Sequence, residues 1–155
     1  MCGLVEMNND TNSIHGIKEK LGESSTLIDY FKVMWGANKK NKNYKAAQMN
    51  FARSLAGYSL VCYILQIKDR HNANILLNED RRIIHVDFAF ILGSLPGNLK
   101  LEATSFKMSE DFISLIKGKN SQSLDQLKEI FTRGFLILKK SIGKIVKVSK
   151  FFILE

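Results

Sequence analysis

The sequence is poor in proline and cysteine and has no long apolar run. Its 155 residues include one proline, Pro96, and two cysteines, Cys2 and Cys62. The cysteines are far apart, and Cys62 lies in a stretch that reads as a buried helix. A disulfide framework is therefore excluded and a reducing compartment fits. Three histidines without a partner cysteine or histidine at ligand spacing leave no zinc site. The longest apolar stretches, around 58–67 and 151–154, are too short to span a bilayer. The amino terminus carries Asn8, Asn9 and Asp10 and no apolar core, so no secretory signal is expected. There is no repeat, low-complexity tract or linker. A chain of this length with 45% hydrophobic residues has room for one domain with a real core.

Acidic residues are also under-represented, with 15 against 23 basic ones and a net charge of +8. Residues 117–150 hold nine Lys or Arg against Asp125 and Glu129, a local +7 that accounts for nearly all of the excess. A segment of this kind attracts anionic surfaces. No aromatic interleaving or nucleic-acid motif accompanies it, which favours a membrane over nucleic acid.

The chemistry is concentrated in Asp69-Arg70-His71-Asn72-Ala73-Asn74, followed thirteen residues after Asn74 by Asp87. Ile75-Leu76-Leu77 and Arg82-Ile83-Ile84-His85-Val86 read as two short strands with a turn at Asn78-Glu79-Asp80. Such a hairpin returns Asp87 beside Asn74. Acids, a histidine and an amide interrupting an apolar run are expensive unless they have partners or a task. Phosphoryl transfer uses this set: one group steers the proton of the attacking hydroxyl, and an amide oxygen with a carboxylate holds Mg2+ on the nucleotide. His71, with an unperturbed pKa of about 6.5, suits proton transfer near neutrality. Asp69 would orient either His71 or the hydroxyl, and the sequence does not order the two roles. Arg70 is expected to tie the loop by an ion pair, His85 to pack and hydrogen-bond, and His15 to face solvent.

Lys68-Asp69-Arg70-His71-Asn72-Ala73-Asn74-Ile75-Leu76-Leu77 with Ile84-His85-Val86-Asp87-Phe88 resembles the catalytic and metal-binding loops of the phosphatidylinositol 3-/4-kinase superfamily. The Asp-Arg-His order differs from the His-Arg-Asp of ordinary protein kinases. The flanks, Ala56-Gly57-Tyr58-Ser59-Leu60-Val61-Cys62-Tyr63, Pro96-Gly97-Asn98-Leu99 and Thr104-Ser105-Phe106-Lys107, are similar to the type III beta class of phosphatidylinositol 4-kinases. The resemblance implies an α+β, mostly α fold, the C-terminal lobe of a protein-kinase-like domain over residues 1–155. It implies ATP and Mg2+ (or Mn2+) as cofactors, Asp69 and His71 as catalytic residues, and Asn74 and Asp87 as nucleotide-metal ligands. It also implies Leu4, Val5 and Glu6 as the hinge bordering the adenine. The activation loop, with Asn98, Lys100 and Lys107, would choose the lipid. Its two lysines match a head group with a single phosphodiester, which points to plain phosphatidylinositol in a membrane surface, phosphorylated at the 4-hydroxyl. The implied location is cytoplasmic and peripheral on membranes of a Golgi-like compartment. Two departures stand out. Ala89 replaces the family glycine, which matters only if that position needs positive φ. The chain also contains no Gly-x-Gly and no upstream strand lysine, so the N-terminal lobe is expected to lie outside it. The alternative is a noncatalytic lobe serving as a lipid-surface or protein-binding module.

Around this centre, residues 7–24 read as a loop with a short helical turn. Thr26 caps a helix over 27–35 that Gly36 ends. A long helix over 44–66 places Tyr44, Ala47, Phe51, Leu55, Tyr58, Cys62 and Leu65 on one face, and beyond Gly57 it reads as apolar all round, hence central. Ser109 caps a helix over 111–117. Ser123 begins a last long helix, with Phe131, Phe135, Leu138, Ile142, Ile145 and Val146 on one face and Arg133, Lys140, Lys144 and Lys147 on the other.

Overall fold

The computed structural model describes residues 7–22, 24–36, 41–93, 104–117 and 122–153. In chain order the elements are β1 (Thr11–Ser13), α1 (Ile14–Leu21), α2 (Leu27–Trp35), α3 (Lys42–Leu65), β2 (Ile75–Asn78), β3 (Ile83–His85), α4 (Glu110–Ile116), α5 (Gln122–Lys140) and α6 (Ile142–Ile153). The architecture is α+β and mostly helical, as expected.

α3 is the axis. Its N-cap is Asn41, whose side chain accepts from Asn43 N–H, and it ends where Gln66 turns left-handed at φ 51° and ψ 44°. Tyr44, Ala47, Phe51, Leu55 and Cys62 are buried along it. The aromatic rings meet edge to face: Phe31 of α2 lies 5.8 Å from Phe51, and Phe51 lies 5.3 Å from Phe112 of α4. This geometry suits the ring quadrupoles as well as burying area. α2 is held by a capping box in which Thr26 and Asp29 satisfy each other's backbone N–H groups. Gln48 Nε2 donates to Leu115 O at 2.6 Å and so ties α3 to the end of α4.

The C-terminal half of α3 is not apolar-buried all round. Val61 and Tyr63 stay 40% and 39% exposed. α5 covers part of this region, with Tyr63 against Phe131 and Phe135 at 6.4 and 6.0 Å. The close crossing depends on Gly134, because a Cβ there would run into the Leu60 side chain. The last helix is also two helices rather than one. Ser141 N–H bonds both Ile137 O and Leu138 O, which tightens the final turn of α5 before α6 restarts. Ser141 and Gly143 are a Ser/Gly pair of the kind that breaks a helix. No described helix is long and apolar enough to cross a membrane.

The amino-terminal region holds more structure than a loop with one turn. β1 pairs antiparallel with β2, Thr11 opposite Asn78 and Ser13 opposite Leu76, so the hairpin becomes a three-stranded sheet of order β1-β2-β3. Three residues carry too little period-2 pattern to announce a strand. α1 follows at once, with Ser13 accepting from Gly16 N–H and Ile14 and Ile17 buried. The expected β2–β3 hairpin forms, with Ile75 opposite His85. It is pinned to α3 by Ile83 N–H donating to Ser54 Oγ at 2.9 Å and by Asn50 Nδ2 donating to Asp80 O at 2.9 Å.

Phe51 is fully buried between Phe31 and Phe112. Phe51→Ala is expected to lower unfolding free energy in urea by about 3–5 kcal/mol. A loss below about 1 kcal/mol would remove this stack from the centre of the core.

Candidate active site

Leaving α3 through left-handed Gln66, the chain runs antiparallel to the segment after β3. Lys68 N–H donates to Phe90 O at 2.9 Å and Leu92 N–H to Leu65 O at 2.8 Å. The segments carrying Asp69 and Asp87 are therefore neighbours along their backbones. Asp69 and Asp87 both sit at positive φ, 61° and 58°. An acid tolerates this region better than most residues, yet such backbone persists only where its surroundings hold it.

Arg70 supplies the hold. It is 3% exposed. Its Nε donates to Lys68 O at 2.9 Å, Nη1 to Val86 O at 2.7 Å, and Nη2 to Asp87 O. Its guanidinium also lies 5.5 Å from the centre of the Phe88 ring. The expected ion pair does not form among the described residues. Three carbonyls and an aromatic face satisfy the cation instead, a use of the planar guanidinium fork that lysine could not match. One side chain thus fixes the backbone on both sides of the site.

His71 is half-exposed and caps the short 3-10 turn Asn72–Asn74, its Nδ1 accepting from Ala73 N–H at 3.2 Å. With Nδ1 occupied as an acceptor, the proton of the neutral ring belongs on Nε2. Nε2 faces Asp69 Oδ2 at 3.8 Å, beyond hydrogen-bond length. Asn74 is buried, with Nδ2 donating to Asp69 O at 3.0 Å and its own carbonyl accepting from Val86 N–H at 3.1 Å. Donation by Nδ2 leaves Oδ1 as an oxygen donor on the other side of the amide. Asp87 is exposed, and its Oδ1 accepts from Ala89 N–H at 3.3 Å. Asp69, His71, Asn74 and Asp87 are therefore gathered by two adjoining loops. Ala89 is not strained: positive φ in this stretch falls on Asp87, Leu92 and Gly93.

Leu4, Val5, Glu6, Asn98 and Lys100 lie outside the described residues. Lys107 lies inside them, half-buried, and lines a small open depression with Ile67, Lys68, Asp69, Arg70, Thr104 and Phe106. Lys68 is the residue that the sequence reading passed over. Its place directly before Asp69 was its only signal. His15 is exposed and faces Glu19 at 3.4 Å.

His85 packs beneath the metal loop, stacked on Tyr58 with centroids 4.4 Å apart. Its Nδ1 lies 3.6 Å from Cys62 Sγ, while Nε2 is buried without a described partner. Burial, reinforced by the Arg70 charge, pushes its pKa down to about 4. Burial also pushes the Cys62 thiol up, which keeps it protonated as a donor to Nδ1.

The sequence matches the family described as phosphatidylinositol 3- and 4-kinase over residues 3–154. It is 38% identical over 146 residues to a phosphatidylinositol 4-kinase of Dictyostelium discoideum, covering 94% of this chain and 12% of the relative. It is 40% identical to phosphatidylinositol 4-kinase beta 2 of Arabidopsis thaliana, covering 92% of this chain and 13% of the relative. Against phosphatidylinositol 4-kinase beta of Rattus norvegicus the identity is 39%, over 94% of this chain and 18% of the relative. The chain spans less than a fifth of each of these relatives.

The depressed His85 pKa gives a signed pH dependence. Between the unfolded value of 6.5 and the folded value of about 4, the unfolded chain binds more protons. Stability from a neutral His85 is therefore full above about pH 6.5 and is lost as pH falls toward 4, by about 3 kcal/mol at most. Urea unfolding from pH 7.5 to 4 is expected to show this slope in the wild type and a flatter one in His85→Phe. Equal slopes would mean that His85 is not held neutral.

Proposed function

The chain belongs to the phosphatidylinositol 3- and 4-kinase family, and from that premise we propose that it forms the helical catalytic lobe of a phosphatidylinositol 4-kinase. The reaction would transfer the γ-phosphoryl group of ATP to the 4-hydroxyl of the inositol ring. The observation that supports this reading is the joining of the two loops by Arg70, which donates to carbonyls in both the segment carrying Asp69, His71 and Asn74 and the segment carrying Asp87.

Phosphoryl transfer asks mainly for positioning and charge neutralisation. Asn74 Oδ1 and the Asp87 carboxylate are hard oxygen donors that suit Mg2+ or Mn2+, a fit that extends to the backbone bond joining Asn74 to Val86. Among the described residues no cluster of three or more His, Cys, Asp or Glu forms a metal site. Bound by Asn74 and Asp87, the cation would neutralise charge developing on the transferred group. Asp69 is the open acceptor for the proton of the attacking hydroxyl. His71, whose Nδ1 is engaged by Ala73, presents Nε2–H toward Asp69 and steadies its carboxylate. On this reading Asp69 takes the proton and His71 is its neighbour in support.

The lipid would arrive at a membrane surface. α5 and α6 carry Lys139, Lys140, Lys144 and Lys147 beside exposed Leu136, Ile137, Ile142, Val146 and Val148. This combination suits an anionic lipid interface, and a cytoplasmic enzyme peripheral on Golgi-like membranes fits it. Because the chain contains no Gly-x-Gly to grip nucleotide phosphates, activity belongs to a polypeptide that also supplies that element.

In such a kinase, Asp87→Asn is expected to abolish phosphatidylinositol phosphorylation while leaving thermal unfolding unchanged. Turnover within a few-fold of wild type would take Asp87 out of the metal role. Asp69→Asn should lower kcat by about 10²–10⁴ and His71→Ala by less. The reverse ranking would make His71 the proton acceptor.

A further inference from the structure

The turn that joins β2 to β3 holds an arginine under two costs that the site does not explain. Glu79, Asp80 and Arg81 form the loop between Asn78 and Arg82, closed by Arg81 N–H donating to Asn78 O at 3.0 Å. Arg81 sits at φ 65°, in the left-handed position that glycine usually fills in a three-residue hairpin loop. An arginine there is strained, because its Cβ crowds the backbone. Its Nε is buried without a hydrogen-bond partner among the described residues, which is a second cost. The guanidinium lies 5.6 Å from the centre of the Trp35 ring, at the end of α2. No hydrogen bond or ion pair completes it among the described residues, although Glu79 and Asp80 are exposed in the same turn. Glycine would close this loop without either cost, so the turn itself gives no reason for the arginine. Strain retained in this way points to a task for the side chain.

We propose that Arg81 and Trp35 form a docking site for a protein partner, which sets a carboxylate on the Arg81 fork and an apolar side chain against the half-buried indole. Stacking on Trp35 holds the guanidinium in one plane, and its Nη groups are the free donors that a carboxylate takes up in pairs. A fork held in advance loses less side-chain entropy when the partner arrives. The local charge selects the kind of partner. Arg81 and Arg82 are balanced by Glu79 and Asp80, unlike the strongly basic stretch over residues 117–150. A densely anionic membrane would meet as much repulsion as attraction at this turn, whereas a segment with an isolated acid beside an apolar residue meets the unpaired cation alone. This site lies outside the catalytic roles assigned above and does not depend on the lipid-kinase reading.

The test selects binders from a random peptide library on an immobilised kinase containing these residues, then measures synthetic copies by fluorescence anisotropy. Retained peptides are expected to carry Asp or Glu beside an aromatic or aliphatic residue. They should bind Arg81→Asn about tenfold or more weakly, the loss expected for a hydrogen bond to a charged group. Arg81→Lys, which keeps the charge but not the fork, should also lose most of the affinity. Asparagine tolerates the left-handed region, so Arg81→Asn should unfold at a temperature no lower than the wild type. A fall of more than about 4 °C would make the Trp35 stack a structural contact and overturn the proposal. A selection that enriches no sequence, or only sequences without acids, would overturn it too. So would acidic peptides that bind wild type and both variants alike. Binding to phosphatidylserine vesicles that is lost in Arg81→Asn, with peptide binding unchanged, would assign the arginine to a membrane and overturn the protein partner.

Discussion

The structure around the site depends on one buried cation. Arg70 lies at the junction of two loops that have no regular secondary structure to hold them, and it donates to carbonyls in both. Beside those bonds, three backbone contacts among the described residues, Lys68 to Phe90, Leu92 to Leu65 and Val86 to Asn74, keep the segments in register. The arrangement also explains how Asp69 and Asp87 are both kept at positive φ. Backbone of this kind costs about 1–3 kcal/mol per residue and needs its surroundings to impose it. A guanidinium that fixes the carbonyls of Lys68, Val86 and Asp87 provides such surroundings. A cation satisfied by backbone rather than by a carboxylate has a further consequence: the acids of the site remain free for chemistry.

Behind the clamp lies a rigid support. α3 leads from the core into the loop of Asp69, His71 and Asn74, and its Ser54 and Asn50 side chains hold the hairpin that precedes Asp87. His85 fills the space between helix and hairpin as a neutral ring stacked on Tyr58. Its charge would be repelled by Arg70, so neutrality of the one and permanent charge of the other belong together. The core aromatic series from Phe31 through Phe51 to Phe112 sets the distance between α2, α3 and α4. The Lys68–Asn74 loop runs from α3 to β2, both packed into that core, and the segment carrying Asp87 starts from β3.

Much of this was legible in the residues. The period of α3, the Thr26 cap, the Gly36 stop and the hairpin were readable because each rests on local chemistry that a short window contains. The return of Asp87 toward the loop of Asp69, His71 and Asn74 was readable because the β2–β3 turn is local. Three features were not. β1 is three residues long and becomes a strand only through Asn78 and Leu76, which are distant in sequence. The interruption at Ser141 was hidden by an apolar stripe that continues in phase across it. The partners of Arg70 were misassigned as acidic because an arginine's usual partner is a carboxylate, whereas carbonyl acceptors leave no trace in sequence.

The account stands or falls on the claim that Arg70 couples the two loops. Amide hydrogen exchange on wild-type and Arg70→Lys protein tests it most directly. Coupling predicts faster exchange in the variant at Lys68, Val86 and Leu92 together, whose N–H groups bond across the junction. The amides of α3 between Ala47 and Leu60 should keep wild-type protection. Faster exchange in only one loop, or an even increase across the whole chain, would contradict the claim.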